Sequence, residues 1–303
     1  MANIASFDRE MYIRSGVGTR LWAASVGRGT PVVLCDGLGC DGYVWKYILP
    51  DLARDCHVVR WHYRGHGLSE APKDLSQMSI EGLADDLTVV LDECGVTQPA
   101  ILIGHSMGVQ VVLEAALRHR ERIRGVVALC GAAGRPLDTF KNTRAGLHIL
   151  PLMQRAVERY PRASGGLWAG LLPSAAALAV VKAFEINSSL LHIDEMRPYL
   201  QRLAEMDPRV FLSMLEHASA HSAEERLDEL ADMPALIVAA QRDTFTPMAR
   251  STAMHREWVS SEFFMLPEAT HTGPLEWPEL LNLRIRKWMH DHELFAADGM
   301  LAG

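Results

Sequence analysis

The segment Gly104-His105-Ser106-Met107-Gly108 constrains this chain more than any other. It follows directly on the apolar run Pro99-Ala100-Ile101-Leu102-Ile103, and a helical pattern from Val109 to Arg118 follows it. A strand that turns sharply into a helix needs small residues on both sides, because the two backbones approach without room for a Cβ. A serine at the centre of that bend holds its hydroxyl exposed, with a helix N-terminus behind it. Five letters of this kind recur by chance. The strand before them and the helix after them turn the pattern into a structural statement.

The rest of the chain has a matching rhythm. Short apolar or alternating runs occur at Met11-Ile13, Arg20-Ala24, Val32-Cys35, His57-Trp61, Ala100-Ile103, Gly125-Leu129, Leu236-Ala240 and Glu262-Leu266. Helical patterns lie among them at Tyr43–Leu52, Ile80–Cys94, Ser106–His119, Met248–Glu257 and Pro274–His290. Strands alternating with helices imply a mostly parallel sheet covered on both faces. The first two runs, joined near Gly16-Val17-Gly18, suit an antiparallel hairpin. Between Gly131 and Asp232 the rhythm stops, and about a hundred residues carry only helical patterns. These are Leu137–Val157, Leu167–Phe184, Ile186–Leu203 and Pro208–His221. Their apolar content exceeds what one surface layer needs, so an inserted helical cap over the carboxyl ends of the strands is expected; extra helices packed on one sheet face are the alternative.

Composition removes several functions. With 303 residues, 49% of them hydrophobic, the chain supports one large domain or a core with an insertion. A net charge of -7 without a basic block argues against a nucleic-acid partner. The start, Met1 to Asp8, lacks the basic-then-apolar pattern of a signal peptide. The longest greasy segment, Leu171 to Val181, is too short for a bilayer span. Cys35, Cys40, Cys56, Cys94 and Cys130 are odd in number, lack metal-like spacing and read as buried small apolar residues. A cytoplasmic location, no cofactor and no metal are expected. His290 and His292 are spaced i,i+2, which is poor geometry for shared ligation on a helix. Oligomeric state stays open between monomer and homodimer.

A serine hydroxyl becomes a useful nucleophile only when a base takes its proton, and imidazole with an orienting carboxylate does this near neutral pH. Asp243 follows the run Leu236-Ile237-Val238-Ala239-Ala240, and His271 follows the last strand. The order Ser106, Asp243, His271 suits this architecture, and in a parallel sheet the three loops emerge at one edge. Asp243 also suits a cap for the helix near Pro247, Glu268 is a rival acid, and His62, His66 and His105 are rival bases. Negative charge on a carbonyl oxygen calls for fixed backbone N–H groups. Met107 N–H is one candidate. Leu38 N–H, in the bend Asp36-Gly37-Leu38-Gly39-Cys40, is the other. Candidate substrate contacts are Gly37, Gly39, Cys40, Tyr43, Trp168 and Phe245.

On these residues the chain resembles the α/β-hydrolase superfamily, most of all its bacterial esterases and related hydrolases with a helical cap. The resemblance runs from about Met11 to His290 and is weakest in the cap. It implies an eight-stranded, mostly parallel sheet flanked by helices, with the core at 1–131 and 233–292, the cap at 132–232 and a flexible tail at 293–303. The family's HG-x motif appears as Asp36-Gly37-Leu38, with aspartate where histidine is usual. Its D-x-R-G-H-G-x-S loop appears as His62-Tyr63-Arg64-Gly65-His66-Gly67-Leu68-Ser69, with His62 replacing aspartate. The two departures suggest a swapped pair, which requires Asp36 and His62 to lie within reach of each other. Relatives that dehalogenate alkanes or open epoxides carry aspartate at the nucleophile position, so Ser106 points away from both. The resemblance leaves cleavage of an ester or lactone of small to medium, moderately apolar character. Hydrolysis of a carbon–carbon bond beside a ketone is the main alternative, and a non-catalytic ligand receptor is the alternative outside enzymes.

Overall fold

The computed structural model describes residues 6–138, 145–184 and 186–295. Eight strands form one sheet: β1 (Arg9–Arg14), β2 (Arg20–Val26), β3 (Thr30–Cys35), β4 (Cys56–Trp61), β5 (Ala100–His105), β6 (Ile123–Leu129), β7 (Ala235–Ala240) and β8 (Ser261–Leu266). Their spatial order is β1-β2-β4-β3-β5-β6-β7-β8. The β1–β2 hairpin and the β2–β4 pair are antiparallel, and every later pairing is parallel. Strands β3, β5 and β7 are buried along their whole length, as expected where helices cover both faces. On one face lie α2 (Ile80–Glu93), α3 (Met107–Arg118) and α9 (Met248–Glu257), with Leu83, Val112 and Trp258 in the core. On the other lie α1 (Ile48–Leu52) and α11 (Pro278–Asp291), with Ile48, Leu281 and Trp288.

The strand order reverses direction between β3 and β5, which sets their carboxyl ends side by side. Cys35 pairs with Gly104, so the loop after β3 runs beside the turn at Ser106. A crevice at such a switch point is the natural binding place in an open α/β sheet.

The cap enters between β6 and β7. It contains α4 (Ala145–Arg159), α5 (Pro161–Leu171), α6 (Ala175–Phe184), α7 (Arg197–Glu205) and α8 (Pro208–Ala220). Several helix boundaries differ from expectation, each for a local reason. The pattern Leu167–Phe184 is two helices bent by 69°, because Pro173 cannot continue α5 and Ser174 Oγ accepts the Ala177 amide to start α6. Ile186–Leu203 begins with turns, since the Asn187 carboxamide accepts from Ser189 and donates to the Glu268 carbonyl. Pro274–His290 splits at Trp277, ahead of Pro278, into the short α10 (Gly273–Glu276) and α11. Tyr43–Leu52 opens as a 3-10 turn, Tyr43–Trp45, before α1. The pattern Leu137–Val157 appears as α4 from Ala145, and 139–144 lie outside the described residues.

The expected flexible tail at 293–303 starts too early. Leu294 is buried, and its carbonyl accepts the Thr30 hydroxyl at 3.1 Å. Residues 296–303 lie outside the described set. All five cysteines are buried free thiols. No single described helix is long and apolar enough to cross a membrane.

Candidate active site

Ser106 sits between β5 and α3 at φ 55°, ψ -120°, a conformation rare for a residue with a side chain. The flanking glycines make it possible. A Cβ on Gly104 would lie 2.4 Å from the Gly108 carbonyl oxygen, and one on Gly108 would lie 2.2 Å from that of Cys35. The Ser106 hydroxyl makes no helix-capping bond. It donates instead to His271 Nε2 at 2.8 Å. His271 Nδ1 lies 2.8 Å from Asp243 Oδ2 and completes an unbroken chain of three side chains.

Each member is held from behind. Asp243 Oδ1 accepts the Phe245 and Thr246 amides, both at 2.8 Å, and Oδ2 lies 2.7 Å from the Thr246 hydroxyl. Burial alone would raise this carboxyl. The His271 ring and the Thr246 bonds outweigh burial and keep it below the ordinary carboxylate range. The His271 loop is fixed by Glu276, which accepts the Thr270 amide at 2.6 Å and the Thr270 hydroxyl at 2.8 Å. The His271 carbonyl accepts from His105 Nε2 at 3.0 Å. Burial first, and then the neighbouring His271 ring, push the His105 pKa down to about 3, which leaves this imidazole a weak base. The rival acid Glu268 pairs with Arg242 at 2.8 Å on the surface. Asp243 accepts amides in the turn ahead of α9, but α9 itself has no side-chain cap, so the expected capping of that helix does not form.

Leu38 and Met107 flank Ser106 in the chamber wall. Among the described residues neither backbone amide has a protein acceptor. The bend that presents Leu38 is braced by His66, whose Nε2 accepts the Gly39 amide at 3.1 Å. The loop that carries His66 is itself anchored by Arg64, through a buried two-pronged pair with Asp86 at 2.6 and 2.7 Å.

The expected Asp36–His62 pair does not form. Trp45 Nε1 donates to Asp36 Oδ1 at 2.6 Å, while His62 Nδ1 accepts the Leu68 amide at 2.9 Å. Arg60 serves both loops instead: its Nη2 lies 3.0 Å from His62 Nε2, and its charge draws on Asp36. Burial dominates at Asp36 and pushes its carboxyl up to about 7.

Above Ser106 opens a chamber of about 620 Å³. Gly37, Leu38, Cys40, Tyr43 and Phe245 line it from the core. Two candidate contacts fall elsewhere. Trp168 stands behind the wall: its Nε1 donates to the Leu203 carbonyl at 2.8 Å, and its ring packs on Phe211, which does face the chamber. Gly39 lines a neighbouring, more polar cavity, with the Leu203 and Phe211 side chains against its other side. The cap lining, including Ile149, Leu150, Met153, Met196, Tyr199 and Leu212, escaped sequence reasoning. So did Glu276, although an acid inside the apolar stretch Pro274–Trp277 was a usable signal.

The family of the α/β hydrolase fold matches residues 30–278, and the chain belongs to it. It carries that fold with an inserted helical cap. Among solved structures it is similar to a thermophilic esterase from Thermogutta terrifontis, with a TM-score of 0.77 at 23% identity over 94% of this chain and 99% of that one. It is 34% identical to bifunctional epoxide hydrolase 2 of Sus scrofa over 39% of this chain and 21% of that protein. It is 33% identical to 2-hydroxymuconate semialdehyde hydrolase of Pseudomonas sp. over 44% and 46%. The chain thus spans about a fifth of the first of these curated relatives and about half of the second.

Proposed function

We propose that the protein is a serine esterase that cleaves carboxylic esters of small to medium, moderately apolar substrates through an acyl-enzyme. The observation that carries this reading is the hydrogen-bonded chain Ser106–His271–Asp243 at the floor of an apolar chamber. Ser106 Oγ attacks the ester carbonyl carbon while His271 Nε2 takes its proton. The Leu38 and Met107 amides receive the oxyanion, and both are positioned before the reaction begins. Collapse of the tetrahedral intermediate expels the alkoxide, which leaves with the proton held on His271. Water then repeats the attack on the acyl-enzyme and frees Ser106. Asp243 fixes the tautomer of His271 and stabilises its charged form.

The same steps apply to a lactone, whose leaving alkoxide stays tethered to the acyl group. The epoxide hydrolase similarity concerns less than half of this chain, and the residue standing at the elbow here is serine. Hydrolysis of p-nitrophenyl esters of rising acyl length, with lactones alongside, tests the reading. Wild-type turnover with an initial burst is expected, together with a loss of about 10⁶-fold in kcat for Ser106→Ala. A fluorophosphonate probe should add mass at Ser106 alone. Ester turnover that survives Ser106→Ala sinks the proposal, and ligand binding without turnover favours a receptor.

A further inference from the structure

We propose that the outward face of α4, α5 and α6 docks onto an anionic lipid surface, with the mouth of the chamber turned towards it. α5 has no buried residue. Leu152, Leu167, Leu171 and Val180 are 61%, 69%, 52% and 55% exposed, a concentration of large apolar side chains unlike the rest of the molecule. A Cβ placed on Gly165, Gly166 or Gly170 would meet nothing within 4 Å, so this side of α5 has no neighbour among the described residues. The α5–α6 pair has the combined length and hydropathy of a membrane span, yet it bends by 69°. A bent apolar pair of this kind suits lying in an interface rather than crossing one.

The charges select the occupant. Residues 145–184 hold Arg155, Arg159, Arg162 and Lys182 against a single acid, Glu158, in a chain whose net charge is -7. No acid occurs from Arg159 to Phe184. Among the described residues Arg155, Arg159 and Arg162 have no carboxylate partner, and Arg159 lies over the Tyr160 ring at 5.3 Å. A second copy of this face would bring like charges together, whereas anionic headgroups would neutralise them, at about fivefold in affinity per cation. The face is also continuous with the chamber. Ile149 and Met153 are 50% and 43% exposed, and both line the cavity above Ser106. An apolar molecule dissolved in the bilayer would meet these two side chains first.

Vesicle co-sedimentation of the full chain tests this. It is run with phosphatidylcholine alone and with phosphatidylglycerol added, at low and high salt. Binding to the anionic vesicles is expected at least about tenfold tighter than to the neutral ones, and weaker in salt. The double variant Arg159→Glu/Arg162→Glu should lose about a hundredfold or more of that affinity. Leu167→Glu/Leu171→Glu should lose binding to both vesicle types. Both variants should hydrolyse a short water-soluble ester as the wild type does, which shows that they fold. Binding is read equally well in Ser106→Ala, so failure of the esterase reading and failure of this one are separable. No preference for anionic vesicles, or variants that bind like wild type, overturns the proposal. A concentration-dependent dimer that Leu167→Glu abolishes also overturns it, because a second copy then covers the face.

Discussion

The core and the cap solve different problems. At the carboxyl edge of the sheet the side chains of the proposed triad are tied to backbone on rigid elements: Asp243 by two amides, and the His271 loop by Glu276 and His105. In the cap, α4 through α6 turn much of their apolar surface outward, and few of their side chains are buried. Geometry to a fraction of an ångström therefore belongs to the core, while the cap supplies a greasy wall whose composition matters more than its exact fit. The division implies that equal substitutions carry unequal costs in the two regions.

The sharpest break of that contrast is at Asp243. Asp243→Asn keeps the shape of the site but inverts the hydrogen-bond partner offered to His271 Nδ1, and kcat is expected to fall by about 10⁴-fold with little change in KM. Steady-state kinetics on one ester decides it. A fall under tenfold means that His271 does not need its carboxylate. Next comes Gly108→Ala, whose added Cβ would sit 2.2 Å from the Cys35 carbonyl oxygen. Backbone must move, and a loss of more than about 4 kcal/mol in urea unfolding is expected. A stable Gly108→Ala protein would show that β5 and α3 can part without losing the fold.

A smaller effect is a pH dependence rooted at Asp36. Its folded-state value is raised, so the native protein keeps this proton after the unfolded chain has released it. Stability from this group is full below the ordinary carboxylate value and declines as pH rises towards about 7. Asp36→Asn should flatten that decline in urea midpoints measured across the interval, and an unchanged slope removes Asp36 as its source. Smallest is Leu171→Ser in the cap, at 52% exposure, expected to shift stability by less than about 0.5 kcal/mol. A larger loss would mean that the cap's outer side is packed after all.

What was legible follows the same line. Ser106, Asp243 and His271 could be found because each sits just past a strand, where a local pattern has one position for the side chain to occupy. The breaks at Pro173 and Pro278 are equally local, but the apolar pattern continues across them. Trp168 and Phe211 could not be told apart in advance. Both belong to apolar helical patterns, and only the stacking of one ring behind the other decides which faces the chamber. The Asp36–His62 pairing failed because Arg60 does not belong to either motif, yet it stands beside both loops.

Glu276 binds more than the histidine loop. Its Oε1 also accepts the Asn187 amide, from the chain leading back out of the cap, at 2.7 Å. One buried carboxylate thus fastens the insertion and the loop of the proposed general base with the same two oxygens. An engineer who excises residues 132–232 to widen access would strip a donor from that anion and slacken the loop carrying the imidazole. The roof of this protein cannot be lifted off as a separable part, because one of its rafters is pinned to the hearth.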